Sequence, residues 1–354
     1  RIRSAAFDLN RTIFELQTYF KLEIYKFKIY RFKLFCTEEP DVCFREMDVA
    51  QRRRHSHATV PPLPIAWRRH ARDSPLRIGV NKMTEIHGID WEDAFANAAH
   101  IEGGMAFPEK WTAQAEAFRR QAAGEMDIPY GDGPRERFDL FRPAGVARGL
   151  AVFVHGGYWL SFDKSSWSHL AGGALASGWA VAMPSYPLAP DARIRDMTLA
   201  VGRAVTRAAE FVDGPIRLAG HSAGGHLVSR MICDDSPLTG SVAERVERVV
   251  SISGLHDLRP LRLHSMNGQL GLDADEATAE SPALRSPRPG SEVIAWVGAC
   301  ERPEFLRQSA LLVEAWTRKG LNARLVADPG RHHFDVIDGL CDPAHPLSQA
   351  FAGE

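Results

Sequence analysis

The chain has 354 residues, 45% of them hydrophobic and 25% charged, and its 43 basic and 44 acidic residues leave a formal net charge of −1. That length and composition allow one large buried core plus an appendage, and the near-neutral balance excludes a chain built as a whole to bind a polyanion. Five scattered cysteines (Cys36, Cys43, Cys233, Cys300, Cys341) show no metal-ligand spacing, their odd number excludes a complete disulfide framework, and no run of eighteen apolar residues is present to span a membrane.

The first 82 residues differ in composition from the rest of the chain. They hold 17 basic and 9 acidic residues, with a Lys/Ile/Phe/Tyr-rich half (Lys21 to Ile29) and an Arg/His/Pro-rich half (Arg52 to His70). An Arg-rich targeting peptide, a basic arm for acidic partners and a translated stretch upstream of the true start all fit. The last is favoured because Met83 stands directly before the first domain-like sequence. The expectation is therefore a basic extension over residues 1–82, disordered or foreign to the native protein, and one folded domain over residues 83–354.

Along that domain, the spacing of Trp91, Phe95 and Ala98, then Trp111, Ala115 and Phe118, predicts short helices that cover or wall a site. Met126 to Pro129 and Phe138 to Phe141 read as antiparallel strands opening a sheet. Gly149 to Val154 is an apolar strand running into His155-Gly156-Gly157-Tyr158-Trp159. Ile194, Met197, Val201, Ala204, Ala208 and Phe211 form one stripe of an amphipathic helix. Ile216 to Ala219 is another apolar strand, and Gly220-His221-Ser222-Ala223-Gly224 follows it before a helix-like segment. Val249 to Ser253 precedes Asp257. Residues 258–290 read as a loop-like, Pro-rich lid, too small to be a domain. Val293 to Val297 leads to Cys300 and Glu301; a helix over Glu304 to Lys319 turns Phe305, Leu312, Val313 and Trp316 inward. Ala323 to Ala327 leads to the adjacent histidines His332 and His333, with Phe334 starting a short helix.

Strands alternating with helices predict a mostly parallel, doubly wound sheet with helices on both faces. A serine at the apex of a strand–turn–helix, flanked by small residues, stands exposed above the sheet edge. Its hydroxyl is a poor nucleophile at neutral pH unless an imidazole takes its proton and a carboxylate orients that imidazole. The chain order Ser222, Glu301, His333 supplies all three and is the order of an α/β-hydrolase, with backbone N–H groups of Gly156, Gly157 and Ala223 facing the developing oxyanion. Asp257 is the alternative acid; His332 reads as a solvated neighbour, and Cys300 as a small buried loop residue. Tyr158 and Trp159, beside the oxyanion turn, offer aromatic surface for substrate. No metal or cofactor is expected, since HExxH, GxGxxG and Walker sequences are all missing. The expected partner is a small-molecule substrate, with neither nucleic acid nor membrane; a homodimer is the one assembly entertained, and a reducing cytoplasm the expected compartment.

The combination HGGYW, GHSAGGH, GACERPEFLRQS and GRHHF resembles the kynurenine formamidase (arylformamidase) branch of the α/β-hydrolases, which shares features with the hormone-sensitive-lipase-like esterases. The resemblance runs from about Trp91 to the C-terminus. It implies Ser222 as nucleophile, Gly156 and Gly157 as oxyanion donors, Glu301 as acid and His333 as base, acting on an arylformamide such as N-formylkynurenine. The departure is Glu301, where characterised animal members carry Asp, and it keeps Asp257 in play. A general carboxylesterase of short acyl esters shares every catalytic part, and a non-catalytic hydrolase-fold binding module is the third reading.

Overall fold

Alternation of side chains along each strand organises the molecule. In β3 (Leu150–Val154) every residue is buried, with Leu150, Val152 and Val154 in one hydrophobic cluster and Ala151 and Phe153 in another. Successive Cβ atoms point to opposite faces of a strand, so a strand apolar on both faces needs cover on both sides. The structure, a computed structural model, describes residues 88–353. The expectations for residues 1–82 and for a domain start at Met83 lie outside the described residues.

The sheet has eight strands. Besides β3 they are β1 (Gly124–Pro129), β2 (Arg137–Phe141), β4 (Ala180–Pro184), β5 (Ile216–His221), β6 (Val246–Ile252), β7 (Glu292–Gly298) and β8 (Asn322–Asp328). Their order is β1-β2-β4-β3-β5-β6-β7-β8. The pairs β1–β2 and β2–β4 are antiparallel and every other pair is parallel, as the alternation of strand and helix predicted.

On one face lies the helix Ile194–Ala208, whose Ile194, Met197, Val201, Ala204 and Ala208 are at most 2% exposed. Burying each Ile, Met or Val side chain stabilises the fold by roughly 1.5–3 kcal/mol. The helix stops at Ala208, short of Phe211, which packs edge-on against Phe138 at 6.1 Å. The helices Ala223–Arg230 and Pro303–Arg318 share this face; Phe305, Leu312 and Trp316 point inward as their spacing predicted, and Val313 is half-buried. The other face is covered by Trp111 of the helix Phe107–Arg119, by Trp167, Leu170 and Ala174, and by Phe351 of the C-terminal helix Pro346–Ala352.

Two expectations need correction. Residues 258–290 are not loop-like: they form 3₁₀ turns at Arg259–Leu263 and Pro282–Leu284 and short helices at Asn267–Leu270 and Ala274–Ala279. Leu261, Leu270, Leu272 and Ala277 from this segment join the main cluster. Elements of three to six residues complete fewer than two turns, so they carry no readable period. Phe334 likewise lies in a run of turns over residues 333–337, and the next 3₁₀ helix is Asp338–Cys341.

Candidate active site

The carboxyl edge of the parallel strands assembles the site. Ser222 sits between β5 and the helix Ala223–Arg230 at φ 55°, ψ −117°. A non-glycine residue in such a region costs of order 1–3 kcal/mol and persists only where its surroundings enforce it. Here they do: Ser222 N–H donates to the Ile252 carbonyl at 2.8 Å, and its own carbonyl accepts from His226 N–H at 3.1 Å. The tight turn also depends on Gly224, where an added Cβ would meet the Val154 carbonyl oxygen at 2.0 Å.

His333 and Glu301 come together. His333 Nδ1 lies 2.6 Å from Glu301 Oε2, with both residues buried. Glu301 Oε1 accepts from the Ser253 hydroxyl at 2.5 Å and from the Gly298 N–H at 2.8 Å. The carboxylate is thus held on both oxygens. The loop carrying His333 is tied to the serine's own turn, because His221 Nε2 donates to the His333 carbonyl at 2.9 Å. Burial, then the proximity of His333, holds the His221 pKa well below the ordinary histidine value, so this imidazole is neutral.

Asp257 is elsewhere. Its carboxylate is taken by Arg259, at 2.8 Å and 2.9 Å, and its backbone N–H donates to Gln308 Oε1. It follows β6, one strand closer to the serine than Glu301, and faces a guanidinium instead of the imidazole. His332 is half-buried, and its Nδ1 accepts the N–H groups of Phe334 and Asp335, which makes it the cap of the turn after His333.

The turn after β3 lies against Ser222. A Cβ on Gly156 would stand 3.1 Å from Ser222 Cβ, and Gly157 takes φ +113°, a conformation that favours glycine. Ala223 opens its helix, so its N–H has no intrahelical acceptor and is available to a ligand. His155 stabilises the turn from behind. Its Nδ1 donates to the Gly156 carbonyl at 2.7 Å, its ring stacks on Tyr186 at 4.4 Å, and burial lowers its pKa to about 4.

The two aromatic residues of the turn part ways. Tyr158 is half-buried; its hydroxyl donates to the Phe95 carbonyl at 2.6 Å and accepts from Asn97, and burial raises its pKa. Trp159 has no surface to offer a substrate. It is 0% exposed, inside the main cluster and edge-on to His226 at 5.2 Å. Ser253 and His221, which position Glu301 and the His333 loop, carry no signal in the sequence beyond their place next to a strand end. Cys300 is exposed, not buried. Among the described residues, no group of three or more His, Cys, Asp and Glu side chains is arranged to hold a metal ion.

Chemically, the arrangement can bring a serine hydroxyl, an imidazole oriented by a carboxylate, and several backbone donors to one carbonyl group.

The BD-FAE family profile matches residues 138–281. A kynurenine formamidase of Salmo salar is 28% identical over 245 residues, covering 66% of this chain and 83% of the salmon protein. A crystal structure from Silicibacter sp., provisionally named a thioesterase, is 52% identical and superposes with a TM-score of 0.71 over 75% of this chain and 99% of its own. The chain belongs to the kynurenine formamidase-like branch of the α/β-hydrolases. This branch is related to the hormone-sensitive-lipase-like esterases, and its member here is a serine hydrolase. An esterase of Pyrobaculum calidifontis, 18% identical with a TM-score of 0.55 over 70% of this chain and 89% of its own, shares the fold. Among the described residues, no helix of this branch member is long and apolar enough to cross a membrane.

Proposed function

We propose that the protein hydrolyses an arylformamide such as N-formylkynurenine, with Ser222 as nucleophile, His333 as base and then acid, and Glu301 as the group that orients it. The observation that carries the reading is the 2.6 Å contact between His333 and Glu301 beside the strained Ser222 turn, in a chain whose relatives include kynurenine formamidases. Ser222 Oγ attacks the formyl carbon while its proton passes to His333 Nε2. The tetrahedral oxyanion is met by N–H groups of Gly156, Gly157 and Ala223. The C–N bond then breaks, the arylamine leaves with the proton from His333, and water, activated by the same imidazole, releases formate from the formyl-serine. An arylamine is a better leaving group than an alkylamine, which eases this step.

The substrate is expected to be a free small molecule. Among the described residues Cys233, Cys300 and Cys341 are unpaired, which supports a reducing compartment such as the cytoplasm. The test is kcat/KM for N-formylkynurenine, N-acetylkynurenine and p-nitrophenyl acetate on one preparation. An acyl pocket sized for hydrogen excludes a methyl by overpacking, about 1–3 kcal/mol or roughly 5- to 150-fold. If the acetyl amide reacts as well as the formyl amide, or only the ester reacts, a short-chain esterase replaces this reading. The provisional thioesterase name of the 52% identical structure favours that second reading.

A further inference from the structure

Three phenylalanines distant in sequence stand half-buried around the site: Phe107 on the helix Phe107–Arg119, Phe162 after the oxyanion turn, and Phe334 after His333. They rest on two tryptophans, Trp111 and Trp167, that are fully buried and only 4.6 Å apart by ring centroid. The contacts are continuous. Phe162 lies so close to Gly157 that a Cβ there would meet its ring carbon at 2.8 Å. Phe162 packs edge-on to Trp111 at 6.1 Å and to Trp167 at 5.5 Å; Trp111 meets Phe334 at 5.4 Å; Phe334 lies 6.0 Å from His333. Phe107 closes the row against Trp111 at 5.6 Å and Phe334 at 5.5 Å.

We propose that Phe107, Phe162 and Phe334 form the surface that holds the aromatic part of the leaving group. The inference rests on the arylformamide reading for the class of substrate. Its physical basis is that the row begins at the oxyanion turn and ends at the histidine that must protonate the departing amine. A reacting carbonyl seated between Gly157 and His333 therefore extends its leaving group along these rings. Packing alone accounts for Trp111 and Trp167, which are buried. It does not account for three large aromatic side chains left partly exposed side by side, where edge-to-face contact with a further ring is available. Tyr158 takes a different part, since its hydroxyl is committed to Phe95 and Asn97.

The test compares leaving groups on an identical acyl group. For the full chain and for Phe334→Ala and Phe162→Ala, kcat/KM is measured for phenyl acetate and ethyl acetate, together with turnover of N-formylkynurenine. The ratio of phenyl to ethyl kcat/KM is expected to fall roughly tenfold in each variant, mainly through KM, as for lost contacts in an apolar pocket. Phe334→Leu, which keeps apolar volume but removes the aromatic face, is expected to lower the ratio as well, and it serves where the alanine variants do not fold. An unchanged ratio, with both esters slowed equally or neither slowed, overturns the proposal. The two readings fail separately: if the wild type leaves the formamide untouched while the ratio still falls, the formamidase reading is lost and the aromatic surface stands. If the formamide is hydrolysed while the ratio is unmoved, only the aromatic surface is lost.

Discussion

His333 Nδ1 and Glu301 Oε2 lie 2.6 Å apart, and the second oxygen of Glu301 is saturated by Ser253 and Gly298. A carboxylate held so can accept only from the Nδ1–H tautomer, which leaves His333 Nε2 as the basic nitrogen. Glu301→Gln should lower kcat by roughly 10²- to 10⁴-fold with little change in folded fraction. Asp257→Asn should cost far less activity, and instead lower thermal stability by freeing Arg259, its partner at 2.8 Å. Steady-state kinetics with circular dichroism on both variants decides it; the opposite ranking assigns the acid to Asp257.

Ser222→Ala should lower kcat by about 10⁴-fold or more, as nucleophile removal does in other serine hydrolases. It should also abolish labelling by a fluorophosphonate. Mass spectrometry of the labelled peptide is the direct check: the same peptide modified in wild type and variant would move the nucleophile elsewhere.

Gly224→Ala should damage the turn without touching any reacting group. Its methyl would stand 2.0 Å from the Val154 carbonyl oxygen and 2.6 Å from that of His155, backbone atoms at the end of β3 and at the start of the turn after it. Overpacking of this kind costs about 1–3 kcal/mol. A lower melting temperature together with a lower kcat is the expected outcome, and a variant with unchanged values for both would mean that the turn relaxes freely.

Stability should fall with mild acid. Burial lowers the pKa of His155 to about 4 and of His226 and His256 to about 3, and holds His221 well below its ordinary value of 6.5. The unfolded chain takes up these protons near pH 6.5 while the folded protein does not. The contribution is therefore complete above about pH 6.5 and is lost as pH falls toward the folded values, at up to roughly 1.4 kcal/mol per pH unit for each histidine. Carboxylates held low by their partners, such as Asp163 and Asp235, act only below their ordinary value of 3.8, a separate window. Denaturant unfolding between pH 7.5 and 4.5 should show the decline, and His226→Gln, which can still donate to the Glu280 carbonyl, should make it shallower. The same slope in wild type and variant would remove His226 from the account.

Local chemistry made part of this protein legible from its residues alone. Strands apolar on both faces, such as Leu150–Val154, and the stripe from Ile194 to Ala208 announce a covered parallel sheet, because a strand buried on both sides is an unbroken apolar run and a helix buried on one side repeats its apolar residues every 3.6. The small residues around Ser222 and the glycines after His155 announce tight turns at the ends of β5 and β3, since a Cβ at Gly224 would meet the Val154 carbonyl and Gly157 takes a positive φ. Tertiary structure decided the rest. Asp257 and Glu301 each follow a strand, and nothing near either one in the chain tells which meets His333; the order of β6, β7 and β8 and the guanidinium of Arg259 do. Trp159 reads as a site residue beside two glycines, yet its ring packs into the core against His226. Phe107, Phe162 and Phe334 come from three separate stretches and share no spacing. Only the folding of a helix and two loops against one pair of buried tryptophans brings them together, and contacts made across such distances leave no period in the sequence.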